Sequence, residues 1–216
     1  MFNNNINHDF INRFLRGILP VRKEKIIELE RYAAENDIPI CIPEVANFLN
    51  TLISSSKAQD ILEIGSAIGY SALNMAMYNK NIHITTIEKN PDLAKEAAKN
   101  LEGYNASVLV GDALEILPNM DESFDFIFLD AAKAHYSDFL PDCFRMLKTG
   151  GLLVSDNVLY KGMIATDDLR ERRKITIIKR MRQYLDELMN HPGLITSIVP
   201  LGDGLAVSVK REIQES

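Results

Sequence analysis

The chain has 216 residues, of which 46% are hydrophobic and 25% charged, and a formal net charge of -6. These proportions describe a globular protein long enough for a sizeable core, and no apolar run reaches the ~18 residues of a membrane span. An acidic balance argues against indiscriminate nucleic-acid binding, although a local basic patch can still steer a ligand.

The first third reads as helix. "HDFINRFLRGIL" and "RKEKIIELERYAAEN" carry apolar residues at helical spacing, and Asn36-Asp37 with Pro39 close the second. "PEVANFLNTLISSS" opens on Pro43, a favoured first-turn residue, and ends in serines. The start of the chain, "MFNNNINHDFINRFL", lacks the basic-then-apolar layout of an export signal. Cys41 and Cys143 stand alone, without zinc or CxxC spacing. Both points fit a cytoplasmic protein.

The chain then alternates. Strand-like "DILEIG", "HITTIEK", "ASVLVG", "FDFIFLD" and "GGLLVSDN" are separated by helix-like "YSALNMAMY", "PDLAKEAAKNL", "ALEIL" and "HYSDFLPDCFRML". A long helix is expected from about Asp167 to His191. "LITSIVP" and "GLAVSVKR", joined by "LGDG", read as a terminal hairpin. The expectation is an α/β protein with a doubly wound, seven-stranded, mostly parallel, Rossmann-like sheet, the hairpin adding one antiparallel strand. One domain spans 1–216, with residues 1–56 as an N-terminal helical elaboration.

"DILEIGSAIGYS" runs from strand through a glycine-bearing turn into a helix, a layout that lets a ligand approach backbone N–H groups. Glu88 lies 23 residues after Gly65 (88 − 65) and ends the second strand. An acid there suits the two hydroxyls of an adenosine ribose. The turn is G-x-x-x-G and lacks the middle glycine of a dinucleotide fingerprint. Glu63, two residues before it, is a poor neighbour for a pyrophosphate and a good one for a cationic amine. Asp112, in "GDALE" after the third strand, can face an adenine amino group. The pattern is that of class I methyltransferases using S-adenosylmethionine (SAM). The plain alternative is a βα turn with a solvent-facing Glu88.

Asp130 ends the fourth strand and Asp156-Asn157 the fifth. Neighbouring strand ends share one crevice. Two carboxylates and an amide oxygen are hard ligands that suit Mg²⁺, with Mn²⁺ or Ca²⁺ as substitutes. The alternative is that these residues merely cap turns and helices.

With these motifs in view, the chain resembles the cation-dependent O-methyltransferases, which include catechol and caffeoyl-CoA enzymes. The resemblance covers nearly the whole chain and rests on "LEIGSAIGYS", "IEKN", "GDALE", "LDAAKAHY" and "SDNVLYKG". It implies that Asp130, Asp156 and Asn157 bind the metal. It implies a SAM site of Glu63, Gly65, Ser71, Glu88, Asp112, Ala113 and Asp130, with a backbone contact from Cys41 at the methionine end. Lys133 matches the lysine assigned as general base in catechol enzymes. A structural or substrate-positioning lysine is the alternative. Relatives are commonly dimers, and the N-terminal helices are the expected interface of a homodimer.

"DNVLYKGMIA", "RRKITIIKRMRQYLDELMNHP" and "PLGDGLAVSVKR" look like the bacterial branch of this family that methylates 5-hydroxyuridine at the wobble position of tRNA. Ala132 stands where plant-type enzymes usually have an acid. Catechol and 5-hydroxyuracil each offer two vicinal oxygens to a metal, so the core motifs serve either substrate. A non-catalytic SAM-binding module is the third reading, and the intact trio speaks against it.

"RERRKITIIKRMR", Arg170 to Arg182, holds seven Lys or Arg and one Glu, so it carries +6 and the rest of the chain −12. On a helix, Ile175, Ile177, Ile178 and Met181 give it an apolar side. Arg170, Arg173, Lys174, Lys179 and Arg180 are left facing water, where they can contact tRNA phosphates. No DNA or membrane partner is expected.

Overall fold

The computed structural model describes residues 6–212; the ends of the 1–216 span, and with them the first five residues of the "MFNNNINHDFINRFL" stretch, lie outside the described residues. Helices α1 (Asp9–Gly17), α2 (Glu24–Glu35) and α3 (Pro43–Ser56) come first, and Pro43 stands at the start of α3 as expected. The alternating part is β1 (Asp60–Ile64), α4 (Tyr70–Tyr78), β2 (His83–Glu88), α5 (Pro91–Asn100), β3 (Ala106–Val110), α6 (Ala113–Ile116), β4 (Phe124–Leu129), α7 (Tyr136–Met146) and β5 (Leu147–Ser155). Helix α8 (Ile175–Asn190) and strands β6 (Leu194–Val199) and β7 (Leu205–Lys210) complete it.

The seven strands form one sheet in the order β3-β2-β1-β4-β5-β7-β6. β7 pairs antiparallel with both β5 and β6, and the other pairings are parallel. The central strands read as continuous apolar runs because both faces are covered. Ile61, Phe126, Phe128 and Val154 face a core shared with α2, α3 and α4. Leu62, Ile64, Ile127, Leu129 and Leu153 face a second core shared with α7 and α8. The switch point falls where β1 is flanked by β2 and β4, which is where such folds bind ligands.

The last helix begins later than the sequence spacing suggests, at Ile175 and not near Asp167. The Asp168 N–H bonds to Thr166 Oγ1 and the Arg170 N–H to the Asp167 carbonyl, and a 3-10 turn, Arg172–Lys174, follows. Short polar side chains that capture nearby backbone N–H groups compete with helix in this way. Ile178 and Met181 are buried as expected, but Ile175 is exposed.

Candidate active site

The carboxyl ends of the parallel strands open into one crevice of about 1150 Å³. Cys41, Gly65, Ser71, Glu88, Asp112, Ala113, Asp130, Lys133, Asp156 and Asn157 all line it. Of the residues read from the sequence as cofactor or metal contacts, only Glu63 is absent from its walls.

Gly65 shows why the turn after β1 carries glycine. Its φ is +99°, and a Cβ there would sit 2.1 Å from the Asp130 carbonyl oxygen. No other residue fits, and the ends of β1 and β4 can therefore meet. The Asp130 N–H bonds to the Ile64 carbonyl at 2.9 Å, locking that approach. Glu88 braces the same turn from β2. Its carboxylate accepts the Ala67 N–H and the Asn90 N–H, both at 2.8 Å. Ala67 has φ +45°, an unfavourable value that this bond helps to hold. A carboxylate has about four acceptor positions, so Glu88 keeps capacity for a diol. Asp112 caps α6 by accepting the Leu114 N–H at 3.0 Å, and pairs with Lys89 at 2.6 Å. Lys89, then the Leu114 N–H, hold its carboxyl below the usual range.

Glu63 lies one layer behind the wall. It is fully buried, and its two oxygens accept the hydroxyls of Ser71 and Thr86. Burial pushes its pKa up to about 7, partly opposed by those hydroxyls and reinforced by Asp130 and Glu88. Ser71 touches the crevice and Glu63, read from the sequence as a neighbour for a cationic amine, stands directly behind it. Thr86 was not legible as a partner. It is opposite Glu63 in the β1–β2 register, and that register is a property of the folded sheet.

In the other half of the crevice, Asp130 keeps 23% side-chain exposure and Lys133 22%, with Nζ 3.9 Å from Asp130 Oδ1. Asp156 is buried, and Asn157 donates to its Oδ1 through backbone N–H (2.6 Å) and Nδ2 (3.1 Å). That leaves the Asn157 amide oxygen for a cation. Burial raises both aspartates, and Asp130 raises Asp156 further. Two carboxylates pushed toward neutrality by burial and mutual repulsion fit a divalent cation, which would restore their charge. Among the described residues no three His, Cys, Asp or Glu cluster as a metal site; the trio contains an amide and is of another kind.

Tyr136 joins the two strand ends. Its buried hydroxyl lies 3.2 Å from the Leu129 carbonyl and 3.1 Å from that of Asp156. His135 lines the crevice and pairs with Asp138 at 2.8 Å. Cys41 is a buried wall residue whose thiol is pushed well up, first by burial and then by Asp156.

Several wall residues carried no sequence signal. Arg13 and Arg16 reach the crevice from α1, and Arg16 forms a paired contact with Glu44 at 2.9 and 3.2 Å. Tyr160, Lys161 and Asp203 also line the crevice. Burial raises Asp203 to about 6, against the Lys161 N–H and the charges of Lys133 and Lys161.

The basic segment is not a uniform water-facing set. Arg170 pairs with Asp167 at 2.7 Å, and Arg180 donates to the Ala134 carbonyl at 2.7 Å. Lys174 is half-buried, 5.9 Å over the Tyr160 ring. Arg182 holds the Ile164 carbonyl and Asp167. Arg170, Arg173, Lys179 and Arg180 are exposed as expected, and so is Arg172, although Arg170 and Arg180 are also engaged in the contacts just given.

A doubly wound sheet with this order, a glycine turn braced by an acid at the end of β2, and a crevice at the strand ends define the class I SAM-dependent methyltransferase fold. The family model described as O-methyltransferase matches residues 21–211. The chain is a member of that family and a SAM-dependent O-methyltransferase of the catechol and caffeoyl-CoA type. A catechol O-methyltransferase of Niastella koreensis is 30% identical over 78% of this chain and 81% of its own length. A solved structure from Staphylococcus aureus, provisionally named a caffeoyl-CoA O-methyltransferase, is 34% identical with TM-score 0.87, over 94% of this chain and all (100%) of that one. The Bacillus cereus O-methyltransferase solved with SAH shares the fold at 22% identity, with TM-score 0.83 over 97% of this chain and 100% of that one.

Proposed function

We propose that this enzyme transfers a methyl group to a ring hydroxyl lying beside a second oxygen, that it requires a divalent cation, and that its acceptor is 5-hydroxyuridine in tRNA, giving 5-methoxyuridine. One observation carries the reading: Asp130 belongs to both halves of the crevice, so acceptor and methyl donor would meet beside it. Asp130, Asp156 and Asn157 would hold Mg²⁺. When bound, SAM supplies an electrophilic methyl and the cation lowers the pKa of the acceptor hydroxyl.

The chain's own residues do the rest. Glu88 and Asp112 would hold the ribose and adenine ends of SAM. Ser71, with Glu63 behind it, would face the methionine end. Lys133, 3.9 Å from Asp130, would act as the base that takes the proton of the acceptor hydroxyl. Methyl transfer is an in-line displacement, so rigid placement of both partners is most of the catalysis.

The tRNA reading is supported by exposed Arg172, Arg173 and Lys179, beside the turn that places Lys174 over the crevice residue Tyr160. An RNA enzyme acting on a base must take that base out of its stack, while phosphate contacts supply position. Mass spectrometry of tRNA nucleosides from a strain lacking the gene tests it. The expected result is loss of 5-methoxyuridine and accumulation of 5-hydroxyuridine, and unchanged nucleosides would reject the tRNA acceptor. A small catechol is the second reading. It is favoured by the internal engagement of Arg170 and Arg180 and by the catechol enzyme among the relatives.

A further inference from the structure

The "LGDG" turn, Leu201 to Gly204, reads in sequence as a hairpin connector. In the structure it is wedged between α3 and the segment that follows β5. Gly202, φ +60°, lies against Ile42 and Val45, where an added Cβ would fall 3.0 Å from Val45 Cγ2. Gly204, φ +85°, lies against Leu159, whose Cγ would be 2.4 Å from an added Cβ. Hydrogen bonds run from segment 157–162 to this turn. The Val158 N–H bonds to the Gly204 carbonyl at 2.9 Å and the Leu159 N–H to the Asp203 carbonyl at 3.0 Å. The Lys161 N–H bonds to Asp203 Oδ1.

The segment so held is one the chain does not adopt readily. Asn157, Tyr160 and Lys161 have φ of +58°, +44° and +57°. Left-handed backbone is tolerated by Asn and disfavoured for Tyr and Lys. Such residues persist only where their surroundings over-determine them, and they gather at functional sites. Asn157 begins the segment and contributes the amide of the proposed metal trio. Asp203 ends the chain of contacts that fixes it, and of the three hydrogen bonds named, the one to its carboxylate is made by a side chain.

We infer that Asp203 is a positioning residue for the metal site: by accepting the Lys161 N–H it holds segment 157–162, left-handed at Asn157, Tyr160 and Lys161, in the conformation that presents the Asn157 amide beside Asp156. This inference rests on the metal reading above and deepens it. Lys133 and Lys161 are the cations facing the Asp203 carboxylate, so a charge role has to be separated from a hydrogen-bond role. Asp203→Asn keeps an oxygen acceptor and removes the charge. Asp203→Ala removes both, and Asp203→Ser, a smaller truncation, stands in if the alanine protein fails to fold.

The test uses full-length protein and four readouts: Mn²⁺ affinity without SAM or acceptor, from the paramagnetic resonance of free Mn²⁺; SAM affinity by calorimetry; kcat and KM on a small catechol with saturating Mg²⁺; and thermal unfolding. Groups that orient metal ligands typically contribute about 10–100-fold in metal affinity or activity. Asp203→Ala, or Asp203→Ser, should weaken Mn²⁺ by at least about tenfold and lower kcat by a similar factor, with SAM affinity within about threefold. Asp203→Asn should restore both toward wild type. Wild-type Mn²⁺ affinity and kcat in the truncations would overturn the inference. An asparagine variant as impaired as the truncations would overturn it too, because charge and not the hydrogen bond would then matter. Wild-type protein that takes up no Mn²⁺ would overturn the metal reading itself, a result separable from either.

Discussion

Glu63 offers a test in which stability and binding move in opposite directions. Its carboxyl is fully buried, and its pKa is raised from 4.5 to about 7. The raised folded-state value means that stability is greatest below the unfolded pKa and is lost as pH rises through about 7. A shift of that size corresponds to about 3 kcal/mol against the charged form at pH 8, falling to about 1 kcal/mol near pH 5.5. Glu63→Gln keeps the shape and is neutral at every pH, and the Ser71 and Thr86 hydroxyls can rotate to suit it. The variant without ligand should therefore be more stable than wild type at pH 8. For a chain of this size the gain is roughly 6–12 °C in Tm, shrinking to a few degrees at pH 5.5. SAM affinity should change the other way. The Glu63 charge acts on the methionine end at one remove, through Ser71, so its loss should weaken SAM binding at pH 8 about several-fold in calorimetry. Scanning calorimetry at the two pH values and titration with SAM read both effects. A variant less stable than wild type at pH 8, or one that binds SAM unchanged, would refute the reasoning.

Charge reversal of Arg172, Arg173 and Lys179 to Glu should lower turnover of tRNA bearing 5-hydroxyuridine about tenfold or more and flatten its salt dependence, with catechol turnover barely changed; equal loss on both substrates would remove this face as the RNA site. Phe10 and Phe14 on α1, and Ile18 just after it, are 59%, 63% and 62% exposed, an apolar face that suits the homodimer expected from the sequence. Phe10→Glu with Phe14→Glu should shift the chain from dimer to monomer in light scattering, whereas a wild-type monomer would reject that interface.

Much of the fold was legible in the sequence because the parallel strands are short apolar runs that end in glycine or acid. "DILEIG" and "FDFIFLD" needed no tertiary information to be recognised. The start of α8 was not legible. Its basic residues have helical spacing, but Thr166 and Asp167 capture the backbone upstream, and four of the cations bind carbonyls, a carboxylate or a ring. The polar wall residues at strand ends were legible from type and position alone. The depth of Glu63 was not legible, since the partners that bury it depend on β1–β2 register and on the first turn of α4. Asp203 and the left-handed stretch after β5 were invisible, because "LGDG" signals a turn whatever it packs against.

The central claim is a metal-assisted methyl transfer at Asp130, Asp156 and Asn157. The most direct measurement is methyl transfer from radiolabelled SAM to tRNA bearing 5-hydroxyuridine, and in parallel to a small catechol, using chelator-treated enzyme titrated with Mg²⁺. No turnover in chelator, saturable recovery with Mg²⁺ or Mn²⁺, and no recovery in Asp156→Ala despite near-normal SAM affinity are the predicted results. Full turnover in the presence of chelator would contradict the account.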